Sequence, residues 1–337
     1  MKKLLNTLYV TSEGAWVRKD GANVVVEVEG AERGRAPLHL LGAIVCFGQV
    51  GLSPQLMHAA AEAGIAITYL GWSGRFLARV EGPRSGNVLL RRAQHERTRN
   101  NPLAVASAIT AAKIANQRGV LRRAIRDHGD ADGTLDLAER RLTAAARAAL
   151  ASTEIHTLRG TEGEAANAYF AVFGALLRVE GLSFFNRTRR PPRDPVNALL
   201  SFLYVLLTAD CRAAAEAVGL DPQMGFLHRD RPGRASLALD LAEEFRAPLA
   251  DRACLTLLNR RQLGASDFRR EETSAVFLRE DARKTVLTAW EERKRTTVTH
   301  PFLSEKMPLG IVPHVQAQLL ARHLRGDLDN YPAYVWR

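Results

Sequence analysis

The chain has 337 residues, 46% of them hydrophobic, enough for two or three domains with buried cores. Its 47 Lys and Arg outnumber its 36 Asp and Glu, and the formal charge of +11 points to a polyanionic partner, either nucleic acid or an acidic membrane surface. Three dispersed cysteines without a CxxC pair argue against a disulfide scaffold and a structural zinc site, and fit a reduced cytoplasm.

The opening "MKKLLNTLYV" carries an apolar run too short for a signal peptide, and no stretch approaches the ~20 apolar residues of a membrane span. A cytoplasmic protein without a membrane partner is expected. Residues 1–84 read as mostly β. "NTLYV" and "NVVVEVEG" are short and β-branched, "RKDGAN" marks a hairpin, and "APLHLLGAIVCFG" suggests a longer apolar strand. "SPQLMHAAAEAG" predicts a short helix capped by Ser53, with Pro54 in its first turn and Gly64 at its end. "IAITYLG" and "RFLARV" return to strand character. From Asn87 onward the spacing is helical, interrupted at "NNP" and "HGDADG". The predicted fold class is α+β, with a β-rich N-terminal domain over 1–84 and a larger α-helical domain over 85–337. Residues 1–80 hold eight basic and six acidic side chains, so most of the basic excess falls in the helical part.

Three segments of that part carry candidate chemistry. In "RGTEGEAANAYFAVFGALL", residues 159–177, Glu162 sits at the expected start of a helix whose alanines allow close packing. Glu162 and Glu164 either complement the positive helix end or, in the case of Glu162, point into a site. In "NRTRRPPRDPVNALLSFLYVLL", Arg187, Arg189, Arg190 and Arg193 crowd a proline-stiffened loop. Asp194 and Pro195 start the next helix, which is apolar around most of its circumference and therefore expected to be buried. Such a loop suits backbone-phosphate contact, the alternative being a surface loop with no target. Asn197 suits a buried polar anchor. In "GFLHRDRPGRASLALDLAEEFR", Asp240 and Glu243 are helical neighbours twelve and fifteen residues after His228. They are either solvated carboxylates or convergent ligands. The C-terminal "DLDNYPAYVWR" is aromatic and either docks on a partner or folds back on its own domain.

Taken together and in order, these segments resemble the CRISPR-associated integrase family, Cas one in words, the catalytic half of spacer acquisition. "GTEGEAANAYF" is similar to the family's Gly-x-Glu-Gly segment. "RTRRPPRDPVNALLSFLY" is similar to its arginine, proline and Asn-Ala-Leu-Leu segment. "GFLHRDRPGRASLALDLAEEFR" is similar to its Gly-Phe-x-His segment and Asp-Leu-x-Glu helix. "LLNTLYV", "GAIVCFG" and "GRFLARVEGPRSGNVLLRRAQ" look like the type I-C branch. The resemblance implies a homodimer, its N-terminal domain serving dimerisation, and two such dimers flanking a dimer of the second adaptation protein, Cas two. It places Glu162, His228 and Glu243 on metal-binding positions and Asp240 on an acidic position beside them. It implies a metal-dependent DNA endonuclease and integrase that joins protospacer 3′-OH ends to the CRISPR repeat by transesterification. Hard carboxylates with one imidazole suit Mg²⁺ or Mn²⁺. Two other classes stay open: a metal-dependent nuclease without an integration role, and a catalytically silent DNA-binding scaffold.

Overall fold

The computed structural model describes residues 6–72, 74–80, 82 and 87–336. The boundary expected near residue 85 lies outside the described residues. The chain divides into two units: Met1–Ser85 with Arg279–Arg295, and Gly86–Leu278 with Thr296–Arg337.

In the first unit, the chain forms β1 (Thr7–Val10), β2 (Trp16–Asp20), β3 (Asn23–Val28), β4 (Ala31–Pro37), β5 (Ala43–Phe47) and β6 (Gly51–Leu52), of which β3 carries the longest β-branched run. These are followed by α1 (Pro54–Glu62), β7 (Ala66–Leu70) and β8 (Phe76–Val80). The predicted hairpin joins β2 and β3, with Asp20 paired to Asn23 and Gly21 in the left-handed region at φ +57°. One sheet runs β4-β3-β2-β6 and the other β1-β5-β7-β8. In the second sheet β1, β5 and β7 are parallel, and β8 is antiparallel to β7. Ser53 caps α1 by accepting the Leu56 N–H at 3.2 Å. The expected long strand through "APLHLLGAIVCFG" is instead broken: β4 ends at Pro37, a 3₁₀ turn occupies Leu38–Leu40, and β5 starts at Ala43. Pro37 and the turn interrupt the ladder that a continuous strand would need. Val17, Val24, Ile44, Ile67, Leu56 and Ala60 share one core, fed by both sheets and α1.

The second unit is built from helices: α2 (Val88–Asn100), α3 (Leu103–His128), α4 (Thr134–Ala151), α5 (Ile155–Ala171), α6 (Pro195–Val218), α7 (Ser236–Phe245) and α8 (Arg252–Asn259). A π-helical turn, Arg246–Asp251, links α7 to α8. Next come the short strands β9 (Phe268–Arg270) and β10 (Val276–Leu278), which pair with each other, and α9 (Glu280–Arg295). A second short pair, β11 (Thr297–Thr299) and β12 (Lys306–Pro308), precedes α10 (Val312–Leu324). α9 belongs to the first unit. It buries Val286, Leu287 and Trp290 there, and Tyr9 Oη donates to Glu291 at 2.9 Å. The β-rich part followed by the helical part is the predicted α+β class.

Two expectations along α5 and α6 change. The helix carrying Glu162 starts at Ile155, not near residue 159, so Glu162 stands two turns inside it and does not cap the positive end. α6 has 24 residues, and an 18-residue stretch of it reaches a mean hydropathy of 1.5, apolar and long enough by composition to cross a membrane, which the sequence reading did not anticipate. Its Val196, Leu199, Phe202, Leu203, Leu206 and Leu207 are buried as core, and Asp194 caps its start by accepting the Asn197 N–H at 2.8 Å.

Candidate active site

The site lies within the second unit and is assembled from α3, α5, α7 and the loop before α7. That loop is braced at its base by Gln94 of α2. Its side chain donates to the Asp221 and Met224 carbonyls and accepts the Asp221 N–H, all at 2.9 Å. The loop then passes so close to α7 that a Cβ on Gly225 would stand 2.7 Å from Ser236 Cβ and 2.9 Å from Asp240 Oδ2. Only glycine allows this approach.

Asp240 turns the approach into a fixed geometry. Its Oδ2 accepts the backbone N–H groups of Phe226 at 2.6 Å and Leu227 at 3.0 Å. Its Oδ1 accepts the His228 N–H at 3.0 Å and meets His228 Nδ1 at 2.6 Å. A carboxylate can only accept, so Nδ1 carries the proton and Nε2 is left with a free lone pair. Arg159 of α5 grips the same loop, donating from Nε and a terminal nitrogen to the Leu227 carbonyl at 2.8 and 2.6 Å. His228 is therefore held from two sides.

Glu243 lies one helical step beyond Asp240. His228 Nε2 is 3.8 Å from its Oε1, and Arg246 forms an ion pair with the same oxygen at 3.1 Å. Its Oε2 pairs with Lys113 Nζ at 2.9 Å but accepts no well-aligned hydrogen bond. Burial pushes the Glu243 carboxyl up, yet Arg246, Lys113 and His228 together hold it well below the usual carboxylate range. Lys113 of α3 also donates to Glu162 Oε1. Glu162 is 27% exposed and Glu243 3%, so the carboxylates line a recess with one open side. Gly160 and Gly163 flank Glu162 and face open space, since a Cβ on either would meet nothing within 4 Å. Close packing on α5 is confined to the Ala165 and Tyr169 side.

The structure thus brings Glu162, His228, Asp240 and Glu243 together. It does not place them all alike. Asp240 is fully buried and occupied by the loop, whereas Glu162, Glu243 and His228 Nε2 face the recess. Solvated carboxylates on α7 are ruled out, because Ser236, Asp240, Glu243 and Glu244 are all buried along with the apolar stripe. Two carboxylates and one unprotonated imidazole nitrogen form a donor set that fits Mg²⁺ or Mn²⁺. Among the described residues, no three such side chains close around one point as the site stands. The place between Glu162 and Glu243 is taken by the Lys113 ammonium.

The arginine loop separates into two roles. Arg187 turns inward, donating to the Thr188 carbonyl at 2.5 Å, Asn197 Oδ1 at 2.7 Å and Ser201 at 3.0 Å, and it lies against the Tyr204 ring. Asn197 also accepts the Thr188 N–H and donates to the Asn186 carbonyl, so it is the buried anchor of the loop. Arg189, Arg190 and Arg193 are exposed. Burial first, then Arg231 and Arg190, pull the Arg234 guanidinium down from its ordinary value, while Asp240 opposes them. Arg190 and Arg231 therefore lie within electrostatic range of Arg234, which in turn feels Asp240. Sequence reading missed Lys113 and Arg246; an isolated lysine in an alanine-rich helix gives no sign of burial.

Fold and site together define an α+β protein whose helical unit holds an acidic and imidazole recess and an arginine-rich loop. The chain belongs to the CRISPR associated protein Cas1 family, whose model matches residues 8–292. CRISPR-associated endonuclease Cas1 2 of Rhodospirillum rubrum is 55% identical over 345 residues, covering all of both chains. A solved Cas1 protein from Thermotoga maritima shares the fold at a TM-score of 0.81 and 24% identity, over 95% of this chain and 97% of that one. A chain of a solved structure described as a Cas6-RT-Cas1–Cas2 complex matches all of this chain with 36% of its own length, at a TM-score of 0.82 and 25% identity.

Proposed function

We propose that the chain is a divalent-metal-dependent DNA endonuclease and integrase of CRISPR adaptation. It joins the 3′-OH ends of protospacer DNA to the CRISPR repeat by transesterification. Family membership and the endonuclease name of the R. rubrum relative support this reading. The observation that carries it is the convergence of Glu162, Glu243 and His228 Nε2 on one recess, with Asp240 fixing the imidazole.

Glu162, Glu243 and His228 would hold the ion, with Mg²⁺ and Mn²⁺ both suited to them. Bound there, a divalent cation supplies Lewis acidity for the 3′-hydroxyl and charge stabilisation for the phosphate. The residues do the rest. Asp240 keeps the proton on Nδ1 and the Nε2 lone pair aimed at the recess. The incoming 3′-hydroxyl gives up its proton to solvent as its oxygen forms the new P–O bond, and the displaced 3′-oxygen of the repeat strand takes one up from solvent as its own P–O bond breaks. Arg189, Arg190 and Arg193 contact backbone phosphates, while Arg187 holds their loop in shape.

The proposed partners are double-stranded DNA, a second copy of the chain through its β-rich unit, and a Cas2 dimer. The Cas6-RT-Cas1–Cas2 complex supports the last of these. Three buried free thiols, Cys46, Cys211 and Cys254, suit a reduced cytoplasm. A strand-transfer assay with a labelled 3′-OH duplex and a supercoiled target tests the reading. Branched product is expected. Shorter fragments alone would indicate a nuclease without integration, and a shifted band with no new covalent species a silent scaffold.

A further inference from the structure

We propose that Lys113 is a resident cation of the site: it holds the two carboxylates together before metal arrives, and it competes with the divalent ion for them. The inference rests on reading Glu162 and Glu243 as metal ligands. Lys113 stands in the middle of α3, among the buried Ile109, Thr110, Ala112 and Ile114, and its side chain is only 5% exposed. Lysine is rarely buried to this degree without a partner. Lys113 has two, Glu162 on α5 and Glu243 on α7, and it is the charged bridge between those helices.

Charge balance gives the bridge its meaning. Glu162, Glu243 and Asp240 supply three negative charges. Lys113 and Arg246 supply two positive ones. The recess is therefore close to neutral before any ion enters. Two carboxylates this close to one another would repel if the ammonium were removed and nothing replaced it. Adding a divalent ion while Nζ stays between the same oxygens would set a +2 charge against a +1 charge at contact distance. Both cannot occupy that place. Loading thus requires Nζ to leave, which its flexible four-carbon stem allows. Arg246 is not the displaced group: it sits on the Oε1 side of Glu243 and is packed on the Tyr204 ring at 4.8 Å.

The test uses the full chain stripped with a chelator. Lys113→Met keeps the length of the side chain and removes the charge. The measurements are Mn²⁺ affinity by isothermal titration and thermal unfolding with and without Mn²⁺. Glu243→Gln serves as the control for the metal site itself. Without metal, K113M is expected to melt below wild type, because two carboxylates lose their bridge. It is also expected to bind Mn²⁺ at least about tenfold more tightly, and to gain more in melting temperature from it. If K113M does not fold, Lys113→Gln carries the same measurements. Wild-type binding that exceeds that of E243Q but is not improved by loss of the lysine would overturn the role given to Lys113 and leave the metal site standing. Wild type, E243Q and K113M all binding equally weakly would remove the metal site and this inference with it.

Discussion

Asp240 uses every acceptor direction of its carboxylate on the loop that carries His228, and this sets the rank of the four acidic and imidazole side chains. Glu162→Ala, His228→Ala and Glu243→Ala are each expected to abolish strand transfer while leaving DNA binding largely intact in a gel-shift assay. Asp240→Asn keeps one acceptor oxygen but turns an N–H toward backbone donors. It is expected to be the mildest of the four, losing about 10 to 100-fold in activity. A second buried carboxylate behaves differently. Asp251 accepts from Tyr169 at 3.0 Å and Tyr204 at 2.7 Å, and burial raises it to about 6 despite those bonds and the nearby Arg246 and Arg187. Its folded value lies above its unfolded one, so the native state holds the proton more tightly. The stability it contributes is fully present below about pH 4 and is lost as pH rises through about 6, a change on the order of 3 kcal/mol. Asp251→Asn should therefore flatten the rise in melting temperature on acidification from pH 7 to 5 relative to wild type. Equal profiles would refute this. Neither the burial of Asp251 nor that of Lys113 was legible in the sequence. Both lie in helical runs where a charged residue ordinarily marks the solvent side, and only the packing of α3, α5 and α6 around them reverses that meaning.

α7 shows which part of an element a sequence can reveal. The stripe of Leu237, Leu241 and Phe245 was readable from spacing, and so was the neighbouring placement of Asp240 and Glu243. The far side of the helix was not. It is covered by chain segments remote in sequence: α3, α10 and the C-terminal tail. Glu244 accepts from Tyr331 Oη at 2.6 Å, the Tyr334 N–H at 2.5 Å and Gln316 at 2.9 Å. Asn116 of α3 donates to the Glu244 and Tyr334 carbonyls at 2.7 and 2.9 Å and accepts the Trp336 N–H at 2.7 Å. The aromatic tail therefore folds back on its own unit, with Tyr331 and Tyr334 buried, and these two rings are not a docking surface. It clamps α7 and α3 one residue from Glu243 and one turn from Lys113. Tyr331→Phe removes one donor from a buried carboxylate and should cost about 1–3 kcal/mol in denaturant unfolding. Deleting Tyr331 to Arg337 should cost considerably more. Gly225→Ala acts on the same element from the loop before it, because its new methyl meets the backbone of Ser236 and the Asp240 carboxylate. It is expected to lower strand transfer by displacing His228, with DNA binding unchanged.

Across the whole chain the formal charge is +11, but the basic excess matters only where it is exposed and grouped. The arginine loop was identifiable from sequence as a cationic, proline-stiffened segment. The division of labour within it was not, because four arginines in seven residues look equivalent until one of them is placed. Arg187 is bonded to Asn197 and Ser201 on α6, whereas Arg189, Arg190 and Arg193 are exposed, and Arg190 lies near enough to Arg234 to lower its affinity for a proton. That difference separates two kinds of variant. Each phosphate neutralised contributes about 0.9 to the slope of log affinity against log salt on duplex DNA. Replacing Arg189 and Arg193 with alanine removes two such contacts if both touch the backbone. The expected result is weaker binding by a similar factor on unrelated sequences and a slope smaller by about 2. Arg187→Ala instead leaves Asn197 Oδ1 and Ser201 short of a donor. It should lower the melting temperature first and reduce DNA binding only through the displaced loop. Fluorescence anisotropy on two unrelated duplexes over a salt series, paired with thermal unfolding, distinguishes the two. A slope unchanged by the Arg189 and Arg193 double variant would move the DNA path off this loop, toward the Arg229 and Arg231 side of the His228 segment.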